Sequence, residues 1–281
     1  MKPLTLFSLL FLLAASASAG PVREGAVVAE LVPSRKAISP GETILIALRM
    51  KHDTGWHTYW KSPGIVGVAT DLDWKLPQGF KAGSIQWPQP ERVKMGPYDA
   101  YGYHGEVFLS LPFTAPADAK PGTEVKLKAR ASWMCCSKTC HPAFADVTMT
   151  LPVSAEPAGP SRWQKPIATA RASFPVANTL WDTAAVRRGN KAILTLSPRK
   201  GTPIKAPLAP YFFSDNGLIH SDVEQVVKKT KAGSISLLME ISEFGPEDPA
   251  HLTGILYTRS GLADGSGAVP IILKVPFPGR Q

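Results

Sequence analysis

Three cysteines and a histidine lie close together near the middle of the chain, at Cys135, Cys136, Cys140 and His141 in the segment ASWMCCSKTCHP. They include every cysteine of the 281-residue sequence. Thiols at this spacing can form a redox-active disulfide or a structural one, and together with an imidazole they can bind zinc or cuprous copper. This cluster is the first candidate for a functional site.

The residues on either side of the cluster alternate between apolar and polar types, which is typical of β-strands with one buried face. The alternation runs over Val125–Cys136 and again over Ala145–Leu151. We therefore predict a β-hairpin whose tip is Ser137–Thr139.

The alternation also gives each thiol a direction. Cys135 shares the parity of Trp133 and should point into the core, whereas Cys136 should point to the polar face. Cys136 and Cys140 should face each other across the mouth of the hairpin, where opposed Cα atoms lie about 4.5–5.5 Å apart and a disulfide can form.

Three interpretations of the cluster are open from the residues alone. A purely structural disulfide between Cys136 and Cys140 would stabilise the fold by only about 2 kcal/mol, because the ring that it closes is small. A metal site formed by the three cysteines and His141 is disfavoured, because adjacent strand residues point to opposite faces. A redox-active pair is favoured, with Lys138 and His141 as the candidates for lowering a thiol pKa.

The N-terminal residues predict export. Residues 1–19 contain the basic Lys2, an apolar run and the small residues Ala17-Ser18-Ala19, which is the pattern of a cleaved secretory signal peptide. No later stretch reaches the ~20 apolar residues of a membrane helix. We expect a soluble protein of the bacterial periplasm, an oxidising compartment in which disulfides persist.

The composition indicates a mainly β protein with two domains. Proline (27) and glycine (23) are frequent, and the apolar runs are short. The formal charge of +9 comes from scattered basic residues, so a solvated surface is favoured over nucleic-acid binding. The length allows two separate cores. We predict a signal peptide over 1–19, a β-sandwich with the cysteine pair over 20–153, a linker with a short helix over 154–173, and a second β-rich domain over 174–281.

Local signals define some elements within these domains. The linker helix is expected over Ser161–Ser173 with Ser161 as its N-cap. The aromatic stretch Gly55–Trp60 is interpreted as sandwich core and a packed loop, and no metal role is expected for its histidine. Met95–Val107 is rich in tyrosine and glycine and is read as a loop, either a mobile lid or an ordinary turn. The clearest strands of the second domain are Lys191–Ser197, Ser234–Ile241 and Ile271–Val275.

Several of these motifs together resemble one known family. They are Gly55-Trp56-His57, Tyr101-Gly102-Tyr103, and Ser132-Trp133 followed by Cys136-x-x-x-Cys140-His141-Pro142. This set resembles the periplasmic N-terminal domain of DsbD-type thiol:disulfide interchange proteins, and more closely the longer ScsB-like branch. The resemblance covers most of residues 26–153, and the second half is similar to the region that follows this domain in the longer members.

The resemblance implies an immunoglobulin-like β-sandwich in which Cys136 and Cys140 exchange electrons without a cofactor. It implies that Tyr98, Asp99 and Tyr101 belong to a cap loop that shields the pair. Cys135 is additional, at a position where the family usually has an apolar residue.

The resemblance also implies partners. The expected donor is a membrane-embedded thiol reductase acting in trans, because the membrane and thioredoxin-like domains of the family are missing from this sequence. The expected acceptors are periplasmic thioredoxin-like or other disulfide-containing proteins. Cys140, beside His141, is expected to form the mixed disulfide, and the protein should act as a reductant or relay. The alternatives are a copper or zinc carrier that uses the Cys/His cluster and a non-catalytic adaptor that uses the sandwich surface.

Overall fold

The computed structural model describes residues 20–200, 209–229, 233–258 and 269–278, so the predicted signal peptide lies outside the described residues. The chain is mainly β, as its composition predicts. The described part of the chain contains no helix with the length and apolarity that a membrane crossing requires.

Residues 20–153 contain eleven strands. They are β1 (Val22–Glu24), β2 (Val27–Pro33), β3 (Thr43–His52), β4 (His57–Gly64), β5 (Asp71–Lys75), β6 (Lys81–Ala82), β7 (Glu91–Met95), β8 (Tyr98–His104), β9 (Glu106–Thr114), β10 (Glu124–Cys136) and β11 (Cys140–Pro152). One antiparallel sheet has the order β1-β2-β3-β9-β6, and the other has the order β11-β10-β4-β8-β7 with β5 also paired to β10. Side chains from both sheets form one core, which is the immunoglobulin-like sandwich that was predicted.

The β10–β11 hairpin forms as its alternation predicts. The two strands pair in continuous register from Glu124 opposite Pro152 to Cys136 opposite Cys140. At the tip, the Ser137 amide donates a hydrogen bond of 2.9 Å to the Thr139 carbonyl. The inward parity of β10 is buried in the main core, including Val125, Leu127, Ala129, Ala131, Trp133 and Cys135.

The prediction of a loop over Met95–Val107 is wrong, because this segment consists of the last residue of β7, a turn, the whole of β8, a second turn and the first residues of β9. Gly96 lies in the turn between β7 and β8 with φ of +58°, a conformation that glycine adopts without steric cost. Within β8, a Cβ atom on Gly102 would lie 2.1 Å from the Thr58 carbonyl oxygen of β4. The two glycines are therefore needed for a turn and for the close approach of β8 to β4, and most of the segment is strand rather than loop.

The linker is held against the first half. The Lys36 amide donates to the Gly159 carbonyl at 3.1 Å. The helix, α1 (Gln164–Arg171), is shorter than predicted, and its N-cap residue is Trp163. The Ser161 Oγ instead accepts a hydrogen bond of 2.9 Å from the Trp163 amide. Ile167 of α1 is buried in a small apolar cluster on the outer face of the five-stranded sheet, with Val32, Ala47 and Phe108.

The described residues of the second half form two further four-stranded sheets. Its strands are β12 (Val176–Ala177), β13 (Trp181–Arg188), β14 (Lys191–Pro198), β15 (Tyr211–Ser214), β16 (Val226–Lys229), β17 (Ile235–Glu240), β18 (His251–Tyr257) and β19 (Ile271–Pro276). The orders are β12-β19-β18-β15 and β13-β14-β17-β16. These sheets have a core of their own, but Phe213 and Ile255 are buried in the core cluster of the first half. The two halves are therefore packed together.

Candidate functional site

Cys136 and Cys140 form a disulfide at the tip of the β10–β11 hairpin. They are directly opposed in the strand register, and their Cα atoms are 4.1 Å apart. The disulfide that the strand parity allows is therefore present. Cys135 is the free cysteine and lies in the main core, where burial and secondarily the charge of Asp53 raise the pKa of its thiol to about 11.

The two bridged cysteines differ in accessibility. Cys140 is exposed, whereas Cys136 is fully buried. Cys136 packs with Tyr59, Val93 and Ala100 in a separate apolar cluster. The expectation of a polar face at Cys136 is wrong at this end of β10, because apolar side chains from β4, β7 and β8 cover it. An approaching thiolate would therefore meet Cys140 first.

Strand β4 places two further side chains beside the disulfide. His57 pairs with Cys136 in the strand register, and the Tyr59 hydroxyl lies 3.9 Å from the Cys140 Sγ. A disulfide sulfur has no hydrogen, so the hydroxyl is the donor. Burial raises the pKa of Tyr59 to about 12, which keeps this hydroxyl protonated.

His57 and Tyr59 were not predicted as site residues, because the whole stretch Gly55–Trp60 was assigned to core or packed loop. That assignment holds for Trp60, which is buried in the main core. His57 and Tyr59 have the opposite parity and share the face of Cys136. The alternation within this stretch could have separated the two faces of β4. No local sequence pattern, however, shows that β4 pairs with the end of β10.

Two histidines, His57 and His104, lie on the side of the sheet that carries Cys136. The His57 ring is 5.1 Å from Tyr59 and 5.3 Å from His104. Burial, and then the neighbouring His104, lower the pKa of His57 to about 4, so its imidazole is neutral at pH 7. Within the described ranges, no cluster of three or more histidine, cysteine or acidic side chains is arranged to hold a metal ion.

The two candidates for lowering a thiol pKa lie at the hairpin tip. His141 is exposed, with Nε2 2.9 Å from Thr139 Oγ1 and its ring 5.8 Å from that of Trp56. Lys138 is exposed between the two cysteines in sequence. Their effect on the thiols stays a prediction.

The three cap candidates lie on both faces of β8. Tyr98 is 44% exposed and shares the parity of Ala100, which contacts Cys136. Asp99 has the opposite parity; burial opposes its ionisation, but hydrogen bonds from Lys94 and Arg92 prevail and lower the pKa of its carboxyl. Tyr101 is buried on that same opposite side, and its ring lies 4.9 Å from Phe213 of the second half. Shielding of the pair therefore stays a prediction for Tyr98, while Asp99 and Tyr101 face elsewhere.

The fold and the site together define an immunoglobulin-like sandwich with a surface disulfide at the tip of a long hairpin. Residues 28–152 match the family described as thiol:disulfide interchange protein DsbD, N-terminal. These residues form a domain of the DsbD N-terminal type, which confirms the resemblance seen in the sequence.

The crystal structure of the N-terminal periplasmic domain of ScsB from Proteus mirabilis has the same fold across both halves. The TM-score is 0.65 at 17% identity, covering 92% of this chain and 98% of that chain. A protein of unknown function from Porphyromonas gingivalis W83 matches at a TM-score of 0.25 and 11% identity, over 90% of this chain and 100% of that one. The sporulation control protein Spo0M from Bacillus subtilis matches at 0.21 and 12%, over 89% and 91%. The TM-scores of these last two matches are too low to support any inference. No curated protein sequence matches the chain.

Proposed function

We propose that this protein is a periplasmic thiol–disulfide exchange protein that relays electrons through Cys136 and Cys140. The observation that carries the proposal is a hairpin disulfide with one exposed and one buried cysteine in a domain of the DsbD N-terminal type. The periplasmic location of the ScsB domain with the same fold supports the compartment.

The reduction of the pair proceeds in two exchanges. A donor thiolate attacks the Cys140 Sγ, forms a mixed disulfide, and displaces Cys136, whose sulfur keeps the electron pair and takes up a proton. A second donor thiolate then attacks the donor sulfur of the mixed disulfide, so the donor leaves oxidised and Cys140 is released as a thiolate. The pair gains two electrons, and the donor dithiol becomes a disulfide.

The transfer to a substrate runs by the same steps. The Cys140 thiolate attacks a substrate disulfide and forms a mixed disulfide, which Cys136 then resolves, and the substrate leaves as a dithiol. Exposure of Cys140 supports its role as the attacking residue. The Tyr59 hydroxyl at 3.9 Å supports it further, because a hydrogen bond to the charged form of a thiol favours that form.

We propose that the net flow is reductive, from a membrane-embedded thiol reductase to periplasmic thioredoxin-like or other disulfide-containing proteins. An oxidising compartment supplies oxidation without a dedicated carrier, so a dithiol carrier there is useful when a donor keeps it reduced.

Trapping in cells tests the proposal, with Cys135→Ala as the background so that the third thiol cannot contribute. Cys136→Ser leaves Cys140 without a resolving thiol and should accumulate mixed disulfides with a membrane protein and with a thioredoxin-like protein. Cys140→Ser, the matched control, should accumulate far less because Cys136 is buried. If neither variant traps a partner and the reduced wild type binds copper(I) stoichiometrically, the metal-carrier interpretation replaces this one.

A further inference from the structure

A cavity of about 490 Å³ opens beside the disulfide hairpin. The hairpin tip contributes Lys138, the chain entering β4 contributes Trp56 and His57, and the β7–β8 hairpin contributes Arg92, Lys94 and His104. A partner whose thiol reaches Cys140 would therefore bring the groups next to that thiol close to this cavity.

The cavity is positively charged. Arg92, Lys94 and Lys138 line it, and none of the described residues that line it is acidic. Two carboxylates lie behind the wall, because Asp99 pairs with Arg92 and with Lys94 at 2.8 Å, and Glu91 pairs with His104 at 2.8 Å. Three cations and two acids leave one uncompensated positive charge, which is that of Lys138 at the exposed tip.

A buried polar atom in the wall also lacks a partner. His57 is 1% exposed, and its Nε2 finds no hydrogen-bond partner among the described residues. Buried polar atoms in folded proteins are nearly always hydrogen-bonded, so such an atom beside a cavity points to a group that the cavity receives. With the proton on Nε2, the imidazole can donate to an oxygen acceptor there.

We propose that this cavity binds an anionic oxygen group of the exchange partner, so that Cys140 reacts preferentially with a thiol or disulfide that carries a carboxylate near its sulfur. The proposal rests on the proposed function, because the ligand is a partner in thiol–disulfide exchange. Lys138 is the specificity-determining residue, since its charge is not matched by an acidic residue of the wall and it adjoins the pair.

The test measures how fast small thiols of different charge reduce the oxidised protein. The probes are mercaptoethanesulfonate, which is anionic, mercaptoethanol, which is neutral, and cysteamine, which is cationic. Each rate is measured for the wild type and for Lys138→Glu, and the ratio of the two rates cancels the intrinsic reactivity of each thiol. The neutral thiol reports any change in the leaving-group ability of Cys136.

Relative to the neutral thiol, Lys138→Glu should slow the anionic thiol by about threefold to tenfold at low salt. It should accelerate the cationic thiol by a similar factor. Both effects should shrink at high ionic strength, because salt screens exposed charges.

Lys126→Glu is the matched control. It makes the same change in net charge on the same hairpin, at an exposed position of β10 roughly 33 Å from the tip. If Lys138→Glu changes all three rates by one factor, or if Lys126→Glu discriminates as strongly, the anion site is overturned while the exchange function stands. If none of the thiols reduces the wild-type disulfide, the exchange function itself fails.

Discussion

At the scale of single residues, the hydroxyl of Tyr59 is placed to tune Cys140, which we propose as the attacking cysteine. It lies 3.9 Å from the Cys140 Sγ and stays protonated, because burial raises its pKa to about 12. Tyr59→Phe removes the donor and should raise the pKa of the Cys140 thiol by about one unit. The pH profile of alkylation of the reduced protein, followed at Cys140 by mass spectrometry, measures this shift, and an unchanged profile would exclude the role.

His57 makes stability depend on pH. Burial and His104 lower its pKa to about 4, against about 6.5 in an unfolded chain. Between these values the unfolded state binds more protons, so the free energy of unfolding falls as the pH drops from about 6.5 towards 4. From pH 7 to pH 5 the loss due to His57 is about 2 kcal/mol.

His57→Gln should remove this loss. Urea unfolding of the oxidised wild type and variant at pH 7 and pH 5 measures it, and the variant should lose about 2 kcal/mol less than the wild type between the two conditions. Equal losses of the free energy of unfolding in the two proteins would show that His57 is protonated to the same extent in the folded and unfolded states.

At the scale of elements, the β7–β8 hairpin is the structure that could shield the disulfide. Tyr98 stands on the face of β8 that carries Ala100, a neighbour of Cys136. Tyr98→Ala should increase the alkylation rate of the reduced pair several-fold, because a large side chain is removed from that face. Tyr98→Phe, which keeps the ring, should leave the rate near that of the wild type. Equal rates in all three proteins would mean that this hairpin does not gate the site.

At the scale of the whole molecule, the second half holds the strands that surround the disulfide. The Ser221 hydroxyl donates to the Asp99 carbonyl at 2.7 Å and accepts the Ile65 amide at 3.1 Å. Gly64 has no side chain where a Cβ would lie 2.3 Å from the Ser221 Oγ. Lys61 and Asp215 add an ion pair between the halves at 3.1 Å. The second half therefore supports β4 and β8, the two strands that place Tyr59 and Ala100 against the cysteine pair.

Removing this support should lower stability. Ser221→Ala removes the hydrogen-bond partner of the half-buried Ile65 amide and of the buried Asp99 carbonyl, and should reduce the free energy of unfolding by about 1–3 kcal/mol. Ser173→Ala, at an exposed serine, is the matched control and should change it by no more than about 0.5 kcal/mol. Denaturant titration of both variants measures the difference, and equal stabilities would show that Ser221 contributes nothing at this contact.

The boundary between the domains, placed near residues 153–174 from composition, stays a prediction.

The sequence by itself determined the hairpin and the arrangement of its thiols. Strand alternation has a period of two, and the turn joins residues that are four apart, so local pattern fixes both the opposition of Cys136 to Cys140 and the inward direction of Cys135. The same local signal identified three of the eight strands described in the second half, β14, β17 and β19.

Only the tertiary structure decided what surrounds the pair. Tyr59 meets Cys140 across 81 positions of sequence, and Ser221 meets Asp99 across 122. Such contacts depend on the order of strands in a sheet and on the docking of one core against another, and no local periodicity encodes either. For the same reason, the sequence could place Cys136 on the face opposite Cys135 but not show that this face is covered, which is what leaves Cys140 as the accessible cysteine.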